Sequence, residues 1–328
     1  MSFELILPFL RPIAKYLAEE DVSEILMNAG GEVFIERQGR LYATAERLSE
    51  GHRESAARNI ARVLGGDIGP LCPLLNARLP DGSRVAAAVP PASVGGTILA
   101  IRKFRSHVMG AEQLVERRML TAAHLETLRN AIQARETILI SGGTGTGKTT
   151  LLNALAAYLP AEERIVVIED TAEIQITAQN LVRLEARQAQ PGAPEITIRE
   201  LLRHTLRLRP DRILLGEVRG AEAFDLLQAL NTGHTGTLST IHANSARLAV
   251  QRLRTCIAMS GIDLPPRAIA SNVAEAVQLI VHVERRPDGL RRVTEILQIE
   301  SYDGDRDRFA FSDRGNTNGF NVCEIHSR

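Results

Sequence analysis

The residues best suited to chemistry lie in one stretch, Gly142-Gly-Thr-Gly-Thr-Gly-Lys-Thr149, which fits the spacing G-x4-G-K-[ST]. Glycines at these intervals let backbone N–H groups close around oxyanions, and a helix beginning there adds orphan donors and a positive dipole end. Gly142, Gly143, Thr144, Gly145, Thr146, Gly147, Lys148, Thr149 and Thr150 are therefore the candidate residues for holding the phosphates of a nucleotide. Lys148 supplies a point charge for the β- and γ-phosphates, and Thr149 a hydroxyl for Mg²⁺. The flanks agree with this reading. Residues 137–141 read as a short buried strand, and residues 148–159 as a helix stopped by Pro160. A Gly-rich turn without function is the bland alternative, and the strand–loop–helix context disfavours it.

Three further clusters follow, each at the end of an apolar run. Ile168-Glu169-Asp170-Thr171-Ala-Glu173 places three acids together, and acids at a strand end can hold Mg²⁺ or its waters; a solvated turn is the competing reading. In Arg212-Ile-Leu-Leu-Gly216-Glu217-Val218-Arg219, Gly216 stands where an aspartate ordinarily touches the metal shell. Glu217 follows it and can orient and polarise an attacking water. Thr149, Glu169 and Asp170 are then the candidate metal residues. The third cluster, Thr232-Gly233-His234 through Thr240-Ile241-His242-Ala243-Asn244, flanks one strand with two histidines. Contacts to phosphate or to a neighbouring chain weigh against a pair of hydrogen-bonded core histidines.

The elements that must position these groups alternate. Strands at 164–169, 181–184, 212–216 and 236–241 are interleaved with helices at 197–208, 221–231 and 244–260, with Thr197-x-x-Glu200 as a capping box and Asn244 as an N-cap. Nearly all-apolar strands in such alternation predict an α/β fold, a parallel sheet covered by helices on both faces. A helix near 266–276 and a hairpin, 277–284 with 290–300, close it. Upstream, strands at 23–27, 33–36, 40–44, 84–89 and 97–103 with a helix at 52–64 predict a smaller α+β domain. The expected organisation is 1–104, a linker at 105–120, the nucleotide domain at 121–300 and a polar tail at 301–328. Residues 3–18 carry a weak apolar stripe that is expected to cover its own domain rather than a membrane.

Composition excludes several classes. Lys+Arg and Asp+Glu are both 39, which argues against a generic nucleic-acid coat. Arg199, Arg203, Arg207, Arg209, Arg212 and Arg219 cluster, yet no aromatic stacking platform is interleaved with them. Presentation of arginine to a neighbouring subunit's nucleotide suits them better. Cys72, Cys256 and Cys323 are far apart with no C-x-x-C pair, so they are expected to be idle thiols in a reducing cytoplasm. No apolar run approaches the roughly 20 residues of a membrane span, and no signal peptide is apparent.

Taken together, 142–149, Val167-Ile-Glu-Asp-Thr171, Leu206-Arg-Leu-Arg-Pro-Asp-Arg-Ile213, Gly216-Glu-Val-Arg-Gly220 and Thr240-Ile-His-Ala243 resemble the secretion ATPases of type II secretion, type IV secretion and type IV pili. Leu79-Pro-Asp-Gly-Ser-Arg84, Pro90-Pro91 and Ile101-Arg-Lys103 resemble that family's N-terminal domain, and the resemblance spans about residues 20–300. It implies a hexameric ring of RecA-like ATPase domains with PAS-like N-terminal domains, using ATP and Mg²⁺. It further implies that Arg84 and Arg102 contact nucleotide, that Glu217 and His242 join Lys148 as catalytic residues, and that 169–173 form an acidic box. By the same resemblance the protein is cytoplasmic, peripheral to the inner membrane, and works with inner-membrane components of a type IV secretion or conjugal-transfer machine. A pilus assembly or retraction motor is the first alternative, and a nucleic-acid-translocating ATPase the second. The absence of a four-cysteine metal module disfavours the type II branch, and residues 301–328 match nothing in the family's pattern.

Overall fold

The computed structural model of the 328-residue chain describes residues 7–315 except 38, 64, 80, 105–108, 188 and 190–193. The described residues divide into two compact units, the first ending at 104 and the second starting at 109.

In the first unit a 3-10 stretch over Leu7–Ile13 runs into α1 (Ala14–Ala18), followed by β1 (Val22–Met27), β2 (Glu32–Arg37), β3 (Arg40–Arg47) and α2 (Glu50–Val63). Then come β4 (Leu74–Arg78), β5 (Arg84–Ala88) and β6 (Ile98–Arg102). The six strands form one antiparallel sheet in the order β3-β2-β1-β6-β5-β4. Ala56, Ala57 and Ile60 of α2 are fully buried in a core with Ile25, Met27, Leu99 and Ile101. Leu10 and Ile13 are fully buried in the same core, so the described part of the N-terminal stripe covers its own unit; residues 3–6 of the stripe lie outside the described residues. β4 has no counterpart in the sequence reading. It is an edge strand with Leu74 and Asn76 exposed, and it lacks the alternation that marks a half-buried strand.

The second unit contains α3 (Ala111–Glu116), α4 (Ala122–Gln133), β7 (Ile138–Gly142), α5 (Lys148–Ala156), β8 (Ile165–Glu169), β9 (Leu181–Glu185), α6 (Ile198–Thr205), β10 (Arg212–Val218), α7 (Glu222–Asn231), β11 (Leu238–Ile241), α8 (Ala246–Ala258), α9 (Pro266–Ala276), β12 (Leu279–Arg285), β13 (Arg291–Asp303) and β14 (Arg308–Asp313). Its eight strands lie in the order β14-β13-β12-β7-β11-β10-β8-β9. Six of them, β12 to β9, are parallel, and β13 and β14 add an antiparallel edge, so the sheet is mixed. One apolar cluster packs α6 to α9 on one side, and another packs α3 to α5 on the other. All five residues of β7 and all five of β8 are buried, as strands covered on both faces require.

Several boundaries differ from the sequence reading. Of the stretch 105–120, residues 105–108 lie outside the described residues, and α3 places Leu114 in the core together with Met119 and Leu120. A helix of under two turns shows no period that sequence could reveal. The capping box at Thr197 and Glu200 is present, with Glu200 N–H donating to Thr197 Oγ1 at 3.1 Å and Thr197 N–H to Glu200 Oε2 at 2.8 Å. Asn244 is not the N-cap of α8. That role falls to Ser245, whose Oγ accepts from Leu248 N–H at 3.1 Å. Of the polar stretch 301–328, the described part completes β13 and supplies β14; Cys323 lies outside the described residues.

One arginine ties this unit together beneath the sheet. Arg212, 1% exposed, donates from Nε to Glu163 Oε2 at 2.6 Å, from Nη1 to the Gly236 carbonyl at 3.2 Å and from Nη2 to the Ile132 carbonyl at 2.9 Å. Gly236 has φ +78°, and any Cβ there would run into the Arg212 guanidinium. Replacing Arg212 with leucine strips Glu163 of its buried partner and takes a donor from the Gly236 and Ile132 carbonyls, of which Ile132 keeps the Arg135 N–H at 3.1 Å. Arg135, 2.8 Å from the other Glu163 oxygen, compensates in part. Arg212→Leu is expected to lower unfolding free energy by about 2–4 kcal/mol in a urea titration.

Candidate nucleotide-hydrolysis site

The loop from Gly142 to Thr149 joins the C-terminal end of β7 to the N-terminus of α5. Gly142 must be glycine because a Cβ there would collide with the Val283 carbonyl of β12. Gly147, φ +97°, is the left-handed residue that lets α5 start at Lys148. Thr146 Oγ1 donates to the Gly143 carbonyl at 3.0 Å and braces the bend. The Lys148 side chain is 8% exposed, and its Nζ donates to the Gly142 and Gly143 carbonyls at 3.0 and 2.9 Å. The ammonium is thereby held at the mouth of the loop rather than extended into solvent.

Around it the strand ends bring the sequence clusters together. His242 follows β11, with Nδ1 3.4 Å from Lys148 Nζ and Nε2 3.0 Å from Glu217 Oε1. Burial first, and Lys148 second, push the His242 pKa below its usual value. The lowered pKa favours the neutral ring at pH 7, with Nε2 towards the Glu217 carboxylate. The Lys148 ammonium is nearly equidistant from the two ring nitrogens, 3.4 Å from Nδ1 and 3.5 Å from Nε2, so it faces the ring rather than one lone pair. The other Glu217 oxygen accepts from Arg219 Nη2 at 3.0 Å, and Arg219 Nη1 reaches Asp170 Oδ2 at 2.9 Å. A single line of polar contacts thus runs Lys148–His242–Glu217–Arg219–Asp170 across the ends of α5, β11, β10 and β8. His234, the other histidine of its cluster, sits at the end of α7 with Nδ1 3.1 Å from the Ala229 carbonyl.

The acidic cluster divides into three roles. Glu169 is 4% exposed and accepts from the Glu173 and Ile174 N–H groups at 2.7 and 2.8 Å, so it organises the turn that follows β8. Asp170 is taken up by Arg219. Glu173, which sequence reasoning placed in the cluster without a separate role, reaches Thr149, whose Oγ1 donates to its Oε2 at 3.4 Å. Asn153, not singled out from sequence, holds that turn against α5. It accepts from Gln175 N–H at 2.9 Å and donates to the Glu173 carbonyl at 3.2 Å. Its position four residues after Thr149, one helical turn on, was the available signal. Gly216 lies against Glu169, and a Cβ there would be a tight 3.1 Å from Glu169 Cγ.

The arginine cluster is largely spent inside the chain. Arg199 and Arg203 of α6 each donate from Nε to the buried Asp225, at 2.6 and 2.7 Å, while Arg212 and Arg219 are engaged as described. Arg84 and Arg102 lie in the first unit as direct cross-strand partners on β5 and β6, and Arg102 Nε is 3.7 Å from Glu24 Oε1.

With this geometry in view, comparison with known proteins defines the class. The sequence model of the family described as "Type II/IV secretion system protein" matches residues 10–302, and the chain belongs to that family. It is 38% identical over 289 residues to the conjugal transfer protein TrbB of Rhizobium radiobacter, covering 87% of this chain and 86% of that one. It is 39% identical over 316 residues to the type IV secretion system protein PtlH of Bordetella pertussis, covering 88% and 93%. Its fold is that of the ATPase DotB of Legionella pneumophila, with TM-score 0.63 at 22% identity over 89% of this chain and 80% of that one. The pilus retraction motor PilT, solved with ADP, gives TM-score 0.60 at 22% identity over 87% and 80%.

Burial raises the Glu169 pKa to about 7, against the opposing pull of its two N–H donors. A carboxyl raised on folding binds its proton more tightly in the native state. Stability is therefore greatest below its unfolded value near 4.5 and falls as pH rises to about 7. Glu169→Gln keeps an acceptor for both N–H groups and removes the titration. Urea unfolding at pH 5 and pH 8 should show the variant gaining on the parent by roughly 1–3 kcal/mol between the two.

Proposed function

We propose that this chain hydrolyses ATP to power a type IV secretion or conjugal-transfer machine at the inner membrane. It does so as a homohexamer in which each subunit couples a RecA-like ATPase unit to a PAS-like N-terminal unit. The observation that carries the reading is the line Lys148–His242–Glu217. One imidazole lies between a phosphate-loop ammonium and a strand-end carboxylate, 3.4 and 3.5 Å from the first and 3.0 Å from the second. Lys148 and the N–H groups of 142–150 bind the phosphates. Glu217 then orients and polarises the attacking water, and His242 and Arg219 hold the carboxylate in place. Arg84 and Arg102 are assigned to nucleotide binding, where a guanidinium stays charged and can grip phosphate oxygens in a bidentate way.

Mg²⁺ belongs to this chemistry, and the donor set suits a hard cation. The Thr149 hydroxyl and a Glu173 oxygen lie 3.4 Å apart beside the loop, with Asp170 three residues before Glu173 in the same turn and held by Arg219. Among the described residues no group of three His, Cys, Asp or Glu side chains could cage an ion alone. That pattern fits a cation held by one or two protein oxygens together with phosphates and waters, whose role is to neutralise charge on the phosphates. The Glu169 oxygen that accepts two N–H groups makes this residue a weaker candidate than its place in the sequence implies.

No described helix is long and apolar enough to cross a membrane, so the attachment proposed is peripheral. Transfer machines are favoured over a pilus motor because TrbB and PtlH match at 38% and 39% identity, whereas the likeness to PilT is one of fold. A nucleic-acid motor is separated by assay, since its ATPase rate would rise with single-stranded DNA in a salt-dependent way.

Two outcomes follow. Lys148→Ala is expected to abolish nucleotide binding or turnover, whereas Glu217→Gln keeps ATP bound and loses turnover by about a hundredfold or more, because of the reacting groups the carboxylate acts on the attacking water and not on the bound phosphates. Titration with a fluorescent ATP analogue and steady-state phosphate release measure the two roles, and parental turnover in Glu217→Gln removes Glu217 from the mechanism. Light scattering at micromolar protein with an ATP analogue and Mg²⁺ should give a closed ring of six. A monomer under those conditions contradicts the assembly, because head-to-tail contacts that close make rings.

A further inference from the structure

A second histidine is buried next to the phosphate loop and takes no part in the line described above. His282 of β12 is 2% exposed, and its Nδ1 lies 2.9 Å from Oγ of Ser141, the residue that leads into Gly142. Ser141 is itself fully buried, and its hydroxyl is 3.3 Å from the Val281 carbonyl, so His282 is its closer partner. The two residues are also paired in register across the parallel β7–β12 ladder, followed by Gly142 opposite Val283. This is the place where only glycine lets the Val283 carbonyl approach. β12 therefore grips the entry of the loop twice, by side chain at 282 and by backbone at 283.

The ring is held from its other side as well. Nε2 faces Glu284 of its own strand, with Oε1 at 3.7 Å, and Glu295 of β13 is its direct cross-strand partner. Lys148 contributes from α5. Burial, first, and Lys148 push the His282 pKa down, while Glu295 and Glu284 oppose them. Glu295 in turn accepts from the N–H of Ala246 at 2.7 Å, the first residue of α8 and four residues after His242. The loop and the segment bearing His242 are thus both anchored on the β12–β13 pair.

We infer that His282 is a positioning residue for the phosphate loop, fixing Ser141 and through it the start of the phosphate cradle. Its effect on nucleotide rests on the ATPase reading, whereas its effect on the loop does not. A core histidine that merely fills space predicts that an apolar residue of similar size changes neither.

The test uses the full-length chain as parent, His282→Leu, His282→Asn, Ser141→Ala and the double variant His282→Leu/Ser141→Ala. Hydrogen exchange is followed over residues 138–148 without nucleotide, and affinity for a fluorescent ADP is measured. His282→Leu is expected to speed exchange over 142–147 and to weaken ADP, each by about tenfold, as loss of one buried hydrogen bond implies. His282→Asn, whose amide reproduces the Nδ1 contact, should stay within about threefold of the parent. Ser141→Ala should match His282→Leu, and the double variant should be no worse than either single one, the signature of a shared contact. Unchanged exchange in His282→Leu, or effects that add in the double variant, overturns the inference. Should His282→Leu fail to fold, Ser141→Ala decides alone, and parental exchange in it overturns the inference. Faster exchange in a protein whose parent binds no ADP would uphold the positioning role and remove the ATPase reading.

Discussion

The site depends on one strand that is held on both sides. β7 is hydrogen-bonded along Ile138–Ser141 to β11 on one side and along Leu279–His282 to β12 on the other, and all of its side chains are buried. A loop hanging from such a strand inherits its rigidity, because any shift would break ladders on both sides at once. The same constraint explains the glycine at 142. The β12 backbone presses against the loop entry so closely that no side chain fits, and the close approach keeps the cradle concave.

The chemistry is arranged by strand order more than by sequence proximity. β7, β11, β10 and β8 are adjacent in that order, so their C-terminal ends present Gly142, His242, Glu217 and Asp170 side by side. Residues 148, 170, 217 and 242 are far apart along the chain, yet they form one line of polar contacts. Ligand sites at the carboxyl ends of parallel strands are the general consequence of this architecture. At position 216, where an aspartate ordinarily stands, Glu169 packs close to the glycine, and a Cβ there would lie 3.1 Å from its Cγ.

Arginine serves structure more than recognition in the second unit. Arg212, Arg199 and Arg203 each neutralise a buried or nearly buried carboxylate, and Asp225 without its two arginines would be a charge stranded out of water. Arg219 differs, because its guanidinium is half-exposed and bridges two acids from different strands. A run of arginines in sequence therefore does not by itself describe a positive surface. The charges that remain to act on a ligand are those left after the fold has used its share.

The sequence alone determined the phosphate loop, the alternation of the second unit and the existence of the smaller sheet. Glycine spacing and apolar runs act locally, and the chain has few other ways to satisfy them. It also determined that Glu217 and His242 belong near Lys148, through motif and resemblance. Tertiary structure alone decided which acid does what. Glu169, Asp170 and Glu173 look equivalent in a row, and only the packing of β8 against β10 and α5 turns one towards backbone N–H groups, one to Arg219 and one to Thr149. It likewise decided the fate of the arginines, the edge strand β4 with its exposed Leu74 and Asn76, and the contact of His282 with Ser141 across 141 residues of chain. The physical reason is common to all of these. A side chain's partner is set by which strands lie next to each other, and strand order is a property of the folded sheet that no local pattern encodes.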